Sequence, residues 1–407
     1  MGASSLSWQA VSDIFALIKE ATADTQAGLP CAGVVIVGDG QNVAQELFHD
    51  VDESKDIYWL ASCTKLVTSI ACLQLVEKGL LSLDDADQIK RLCPELKNIK
   101  IATEDGRLVD KMTRITLRSL LTHTSGFGYS FLSPALEKYT SDRRRAPFDE
   151  FSGSETEMHQ PLVNQPGMTF QYSISHDWAG ILVQRTTSLG LNEYMQRTIF
   201  KPLGITRLTM FPDEKLQSHL AGLWQRDEAG QLSPRPFPLS RALDADRRKG
   251  MYNSGGAGLY GSLREFSKIL VALLNNGTSP TTNEQILLPS TVKDLFTNQL
   301  PEQPDLARQP LPTCKSDLVY PAPGLYPLCP PTKPQGWGLG ALLSPSVTGR
   351  SDSTAHWAGL SNVFWWCDWE RGVAGLVGSQ VLPFADPKAV ELWVKVETKV
   401  YEGIKKK

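Results

Sequence analysis

The chain has 407 residues, and its 41 Lys and Arg nearly balance its 44 Asp and Glu, which leaves a formal net charge of −3. This balance gives no reason to expect a polyanion such as a nucleic acid as a partner. Hydrophobic residues are 41% and charged residues 21% of the chain, which is ordinary globular usage and excludes a disordered chain, a coiled coil and a collagen. The length allows one large domain or a few small ones.

The N-terminal segment, residues 1–30, is interrupted by charged side chains and predicts neither a secretory signal nor a membrane anchor. No run of about 20 apolar residues follows, so we expect no membrane-spanning helix. The 7 Cys are scattered without a CxxC pair, which favours reduced thiols in a cytoplasmic protein over a disulfide framework or a zinc site. We expect no metal and no cofactor.

Hydrophobic periodicity and turn residues predict the elements in chain order. In the first half we expect a helix over 8–23, strands over 32–40, 44–49 and 57–60, a buried helix over 62–79, a polar insertion over 100–112 and a short helix over 115–121. The rest predicts a loop-rich stretch at 140–170, helices over 175–187, 191–199 and 262–275, a Pro-rich loop over 301–334, strands over 336–343, 354–358, 362–368 and 373–380, and a last helix over 387–403. Strands at both ends with helices between them indicate an α+β fold whose ends share one sheet.

The first candidate for chemistry is Ser62-Cys63-Thr64-Lys65, at the start of the buried helix. Residues three apart on a helix share a face, so Ser62 and Lys65 should be neighbours. A serine hydroxyl becomes a nucleophile when a base takes its proton, and a desolvated lysine can act as that base. The spacing alone also fits an ordinary surface pair, which is the commoner case.

Two further segments support the catalytic interpretation. Tyr172 lies in Phe-Gln-Tyr-Ser-Ile-Ser before a predicted helix, and His356-Trp357-Ala358-Gly359-Leu360 lies on a predicted strand. Together with SxxK and the phrase Leu-Thr-His-Thr-Ser-Gly at 121–126, these motifs resemble, in order and spacing, the serine hydrolases of the class C β-lactamase and penicillin-binding-protein fold. The resemblance covers about residues 30–380. It is closest to the fungal polyketide acyltransferases (transesterases) of the lovastatin type, through the motifs at 164–167, 177–180 and 359–362.

This resemblance implies an antiparallel sheet flanked by helices, together with a mainly helical subdomain. Residues 1–100 and 330–407 are then expected to form an α/β domain around one sheet. Residues 101–329 are expected to form the helical and loop-rich subdomain, with the active site between the two.

The resemblance also implies the roles of the site residues. Ser62 is the nucleophile that becomes acylated, and Lys65 and Tyr172 share the proton transfer, with Tyr172 as the favoured base. The backbone N–H groups of Ser62 and Leu360 form the oxyanion hole. The substrate-binding residues are expected to be Trp357, Ala358, Gly359, His356, Tyr129 and Tyr260.

Two departures from the family pattern narrow the substrate. Trp357-Ala358-Gly359 stands where lactam-binding members carry Lys-Thr-Gly, so a substrate carboxylate loses its cation. Ile174 stands where an Asn usually follows the Tyr, so an amide contact is lost as well. An apolar wall in place of both favours ester or thioester chemistry on a hydrophobic substrate.

Other residues have simpler interpretations. His123 is expected to hold the Thr-Ser-Gly turn, and Cys63 to be a buried bystander. Ser175 and Asp177 are expected to cap their helix, with fixation of a neighbouring loop by Asp177 as the alternative. The stretch 256–261 matches GxGxxG, but no apolar strand precedes it and no acidic residue follows at a suitable distance. It therefore predicts a tight turn rather than a dinucleotide site.

The sequence thus predicts an acyltransferase that moves an acyl group from a thioester donor, through Ser62, to a hydroxyl or amine of a small natural product. An acyl carrier protein is one option for the donor's carrier. The alternative is a carboxylesterase in which water deacylates Ser62, and a catalytically silent binding protein is disfavoured because the three catalytic residues occur together. The loop 301–334 is expected to cover the pocket and exclude water.

Overall fold

The computed structural model describes residues 6–24, 26–40, 47–50, 52–326 and 328–404. Its helices are Trp8–Thr22 (α1), Thr64–Glu77 (α2), Ala86–Leu92 (α3), Leu117–Leu121 (α4), Pro134–Asp142 (α5), Ser175–Thr187 (α6), Leu191–Met195 (α7), Glu214–Ser218 (α8), Leu263–Leu274 (α9), Pro289–Leu295 (α10) and Pro387–Gly403 (α11). Its strands are Gly33–Gly38 (β1), Leu47–Asp50 (β2), Ile57–Trp59 (β3), Lys100–Ala102 (β4), Leu108–Asp110 (β5), Leu208–Thr209 (β6), Trp224–Arg226 (β7), Leu232–Pro234 (β8), Tyr260–Ser262 (β9), Gly336–Trp337 (β10), Leu342–Leu343 (β11), Ala355–Gly359 (β12), Val363–Asp368 (β13), Val373–Gly378 (β14) and Val381–Leu382 (β15).

The main sheet joins strands from the two ends of the chain. Among the described residues its order is β10-β11-β12-β13-β14-β1-β2, and every neighbouring pair is antiparallel. Strand β1 lies in the interior of this sheet, with Val35 opposite Leu376 on one side and Phe48 on the other. The predicted α+β fold with a shared antiparallel sheet is therefore confirmed.

Helices cover both faces of the main sheet. On one face, the ring of Phe364 stacks on Trp393 of α11 with centroids 4.4 Å apart. On the opposite face, α9 approaches closely, because a Cβ on Gly378 would lie 2.8 Å from a methyl carbon of Leu263. Successive residues of a strand point to opposite faces, so each strand contributes side chains to both layers of the core.

Local signals explain the helices that matter for the site. Asp386 accepts hydrogen bonds from the amides of Lys388 and Ala389 at 3.1 Å, and Pro387 takes the first helical position of α11. This is a favourable combination for a helix start. Helix α2 is buried on all sides over its first twelve residues, as its uniformly apolar sequence indicates.

Two of the predicted segments have a different structure, and a third is described only in part. The single strand expected over 336–343 is a tight hairpin of β10 and β11, with Gly340 at φ +109° in the turn. The polar insertion at 100–112 folds as the hairpin β4–β5, in which Ile101 is buried. The predicted strand over 44–49 is described only from Leu47, and residues 44–46 lie outside the described residues.

Residues 101–329 contain the helices α4–α10 together with the strands β5–β9. We retain the division into a sheet domain and this second part as a proposal. Within the described residues, no helix combines the length and the apolar character needed to cross a bilayer. All seven Cys lie in the described residues and are free thiols.

Candidate active site

Ser62 lies in a strained turn directly before α2. Residues Ala61–Cys63 form a 3-10 turn, and Ala61 has a φ of +44°, a region that an alanine occupies only at a cost. Strand β12 comes close to this turn, since a Cβ on Gly359 would lie 2.3 Å from the carbonyl oxygen of Leu60. Gly359 therefore acts by permitting close approach and, contrary to the prediction, does not line the cavity described below.

The ammonium group of Lys65 is fully buried and has three acceptors, one for each of its protons. Its Nζ donates to Ser62 Oγ at 3.1 Å, to Tyr129 Oη at 2.9 Å and to the carbonyl of Gly256 at 2.9 Å. An ammonium group has three donors and no acceptor capacity. The three contacts therefore saturate Lys65 and hold Nζ in one place beside the nucleophile.

Tyr172 contacts the nucleophile from the second part of the chain. Its hydroxyl donates to Ser62 Oγ at 2.7 Å and accepts from the indole N–H of Trp357 at 3.2 Å. The Nζ of Lys65 lies 4.8 Å from the centre of the Tyr172 ring. A neutral donor therefore contacts the Tyr172 oxygen, and a positive charge lies beside its ring.

Tyr129 contacts Lys65 directly, in addition to lining the cavity described below. It accepts a hydrogen bond from Lys65, and its ring lies 5.2 Å from that of Tyr172. Burial, and after it the neighbouring Tyr172, raises the pKa of Tyr129 well above its ordinary value. Tyr129 therefore remains a neutral phenol while it holds the ammonium of Lys65.

Asp177 lies near Lys65 and is linked to it through Gly256. It does not cap its helix, contrary to the first expectation for this residue. The cap position is Ile174, which makes no side-chain cap bond. The Asp177 carboxylate instead accepts from Ser254 Oγ at 2.7 Å and from the amide of Gly256 at 3.1 Å. The alternative interpretation, fixation of a neighbouring loop, is the one that the contacts bear out. Burial raises the pKa of Asp177, and the positive charge of Lys65 opposes that rise.

His123 and Cys63 are both buried beside the site, and the side-chain contacts of His123 are to residues such as Ser173 and Tyr172 rather than to the Thr-Ser-Gly turn it was expected to hold. His123 is fully buried, its Nδ1 lies 3.2 Å from Ser173 Oγ, and its ring packs 4.8 Å from the ring of Tyr172. Burial holds the pKa of His123 well below its ordinary value, so the imidazole is neutral. Cys63 is buried, and its thiol donates to the carbonyl of Val363 at 3.5 Å.

A cavity of about 360 Å³ opens at Ser62, within the roughly 300–1,000 Å³ range of small-molecule sites. Among the described residues, no Asp, Glu, Lys or Arg lines it. Ten of its lining residues come from the Pro-rich loop, between Leu311 and Leu328. The loop is hydrogen-bonded to the body of the protein, for example from the Cys314 amide to the Phe131 carbonyl at 2.9 Å.

Some of the predicted substrate-binding residues line this cavity and others do not. Those that line it are Trp357, Ala358, His356 and Tyr129. Tyr260 does not line it, because it is fully buried in β9 and its hydroxyl donates to the carbonyl of Leu239 at 3.2 Å. The contacts of Tyr129 and Asp177 around Lys65 join residues far apart in the chain, so the local sequence does not reveal them.

Residues 16–397 match the family model described as Beta-lactamase, and the chain therefore belongs to the β-lactamase family. It is 31% identical over 353 residues to monacolin J acid methylbutanoyltransferase of Aspergillus terreus, covering 84% of this chain and 81% of that protein. It is 34% identical over 339 residues to lovastatin esterase of Penicillium rubens, covering 81% and 80%.

Comparison with solved structures leads to the same group of enzymes. Unliganded simvastatin synthase (LovD) from Aspergillus terreus superposes with a TM-score of 0.77 at 26% identity, covering 97% of this chain and 98% of that one. The chain is therefore an enzyme of the serine acyltransferase and esterase type within the β-lactamase family.

Proposed function

We propose that this chain is a serine acyltransferase of fungal secondary metabolism. It takes an acyl group from a thioester donor onto Ser62 and passes it to a hydroxyl or amine of a small natural product. The observation that carries the proposal is the pair of hydrogen bonds on Ser62 Oγ, from Tyr172 at 2.7 Å and from Lys65 at 3.1 Å, at the mouth of an uncharged cavity.

In the proposed first half-reaction, Ser62 Oγ attacks the acyl carbonyl carbon and its proton passes to the deprotonated oxygen of Tyr172. Lys65 and the indole N–H of Trp357 stabilise that oxygen while it is negative. The C–S bond then breaks, and Tyr172 returns the proton to the departing thiolate. The acyl group remains as an ester on Ser62.

The second half-reaction uses the same atoms in reverse. The acceptor hydroxyl or amine gives its proton to Tyr172 and attacks the acyl carbon. Ser62 Oγ then leaves and recovers a proton from Tyr172. Because one tyrosine serves both halves, the leaving thiol and the incoming acceptor must occupy the same side of the acyl group.

The oxyanion hole is proposed to consist of the N–H groups of Ser62 and Leu360. Leu360 follows the last residue of β12 and lines the cavity, and the close approach of Gly359 to Leu60 brings it beside the Ser62 turn. One such donor is worth about 3–4 kcal/mol of transition-state stabilisation.

The proposed substrate is apolar at the reacting end. A carboxylate placed in an uncharged, largely apolar cavity without a partner is strongly disfavoured. The site also offers no Lys at Trp357-Ala358-Gly359 to pair with it. Both points favour neutral esters and thioesters over β-lactams and D-Ala-D-Ala peptides.

A carboxylesterase is the second candidate, because lovastatin esterase is among the relatives and hydrolysis needs the same catalytic residues. Rapid mixing with a short-chain thioester, followed by intact mass, separates the two. If the chain is a transferase, an added hydroxyl or amine acceptor speeds the loss of the acyl increment and appears as acylated product. If the rate of loss is the same with and without every acceptor tried, the chain is an esterase and the transferase proposal fails. The same assay compares free thioester donors with thioester donors carried on an acyl carrier protein.

A further inference from the structure

The cavity at Ser62 continues to the other face of the main sheet. Along β12, Trp357 points toward Tyr172, whereas Ala358 and His356 belong to the opposite face, because successive strand residues alternate. Ala358 is in register with Phe364, and His356 with Trp366. Since Trp357, Ala358, His356 and Phe364 all line the cavity, one cavity is lined by residues of both faces of the sheet.

The part on the far face, called the rear lobe here, lies between the sheet and α11. It is lined by Phe364, His356, Phe384, Pro387, Val390 and Trp393, and the Pro-rich loop forms its roof. The stacked rings of Phe364 and Trp393, 4.4 Å apart, form its floor. The roof is fixed to this lobe, since the Phe384 amide donates to the Leu318 carbonyl at 2.7 Å and the Tyr320 amide to the Phe384 carbonyl at 3.1 Å.

The rear lobe has the chemistry of an apolar binding site. Its one titratable lining group among the six is His356, whose Nε2 lies 2.9 Å from Ser344 Oγ. Burial, and after it the nearby Arg350, holds the pKa of His356 well below its ordinary value, so the ring is uncharged. The lobe therefore offers aromatic and aliphatic contact and would reject a charged group.

The proton chemistry determines which part of the substrate lies there. The leaving thiol and the acceptor both exchange protons with Tyr172, which is on the Trp357 side. The remaining substituent on the carbonyl carbon is the acyl chain, and it must point away from that side. Tyr172, Leu360, Ala358 and the rear-lobe residues line one cavity, which leaves the rear lobe as the space for the acyl chain.

We propose that the rear lobe is the acyl-chain site and sets which acyl groups the enzyme transfers, with a preference for neutral aliphatic chains longer than an acetyl group. This inference rests on the proposed function, since it requires an acyl group on Ser62. Val390 and Phe384 are the specificity-determining residues that are simplest to change, because both side chains are only partly buried.

The test compares loading of Ser62 by p-nitrophenyl acetate and p-nitrophenyl octanoate, followed by intact mass. In Val390→Trp, which fills the lobe, the octanoyl-to-acetyl rate ratio should fall by at least about tenfold. In Phe384→Ala, which enlarges it, the ratio should rise. Val394→Trp is the matched control, one helical turn further along α11 and outside the cavity lining, and should keep the wild-type ratio.

The outcomes are distinct. An octanoyl-to-acetyl rate ratio that stays at the wild-type value in both lobe variants overturns the inference, even where both rates fall equally. Phe384→Ala keeps the test decisive if Val390→Trp does not fold. If the wild-type chain acquires no acetyl group on Ser62, the proposed function itself has failed, and that result is separate from an unchanged chain-length ratio.

Discussion

The Nζ of Lys65 donates to the hydroxyl of Tyr129 at 2.9 Å, although the two residues are 64 positions apart. Together with Ser62 Oγ and the Gly256 carbonyl, this contact completes the acceptors of a fully buried ammonium group. Tyr129 thus fixes the position of the charge that supports Tyr172. Its role is indirect, as a positioning residue for Lys65.

Replacing Tyr129 with Phe removes one acceptor from a buried cation. A hydrogen bond to a charged group contributes about 1.5–3 kcal/mol, so we expect acylation of Ser62 to slow by about ten- to a hundredfold. Single-turnover measurements with an activated ester would show it, together with a changed pH–rate profile. Tyr260→Phe is the control, since the hydroxyl of Tyr260 donates to the Leu239 carbonyl and Tyr260 does not line the cavity. Equal rates for Tyr129→Phe and Tyr260→Phe would exclude this role.

Asp177 is linked to Lys65 through one peptide unit, because the Gly256 amide donates to Asp177 and the Gly256 carbonyl accepts from Lys65. Asp177→Asn keeps the shape but removes the negative charge. The buried ammonium of Lys65 then loses favourable electrostatic support, so single-turnover acylation of Ser62 should slow by roughly tenfold. An unchanged acylation rate in a folded Asp177→Asn variant would show that this charge does not act on Lys65.

The pH dependence of stability follows from three buried histidines. Burial holds the pKa of His123, His176 and His356 well below the ordinary value of 6.5. The unfolded chain takes up protons at these positions near pH 6.5, whereas the folded chain does not. The stability is therefore fully present above that pH and is lost as the pH falls. Each histidine contributes up to about 1.4 kcal/mol per pH unit.

We accordingly expect the free energy of unfolding to be lower at about pH 5.5 than at about pH 7.5. Burial raises the pKa of the carboxyls Glu150 and Asp177, and these two groups act in the opposite direction, at pH values above their ordinary pKa. Urea unfolding at both pH values measures the difference. The His356→Asn variant should lose about one third of the histidine effect, and a wild-type protein that is more stable at the lower pH would refute the assignment.

The Pro-rich loop is expected to protect the acyl-enzyme from water. It supplies lining residues such as Tyr320 and Tyr326 and is hydrogen-bonded at several points to the body of the protein. Deleting residues 321–324 should open the cavity and raise hydrolysis relative to transfer several-fold, as water exclusion is lost. Product analysis in the presence of acceptor gives the ratio. The same ratio in the shortened and the full-length protein would remove this function from the loop.

Local sequence signals predicted much of the frame. The bounds of α6 and α11 agree with the prediction, because Asp386 and Pro387 mark one start and the turn at Ser188, with φ +59°, marks one end. The neighbourhood of Ser62 and Lys65 is likewise local, since three residues separate them on a helical turn. Such features depend on nearby residues alone.

Contacts between distant segments were harder to predict. Asp177 and Gly256 are 79 positions apart, and no pattern in either segment indicates that a buried carboxylate meets that amide. The sequence preference of Asp for helix caps instead suggested a cap, but tertiary contacts with Ser254 and Gly256 outweigh it. Tyr260 was misplaced for a related reason, because pairing of β9 with β3 and β6 turns its side chain into the core.

In the proposed mechanism, Ser62 carries the acyl group, and Lys65 and Tyr172 move its proton. Intact-mass measurement after mixing with an activated short-chain ester or thioester tests it directly. We expect one acyl increment on the wild-type chain and on Cys63→Ala, and none on Ser62→Ala. Loading of Lys65→Ala and Tyr172→Phe should be slower by roughly a hundredfold or more. A full acyl increment on Ser62→Ala would contradict this mechanism.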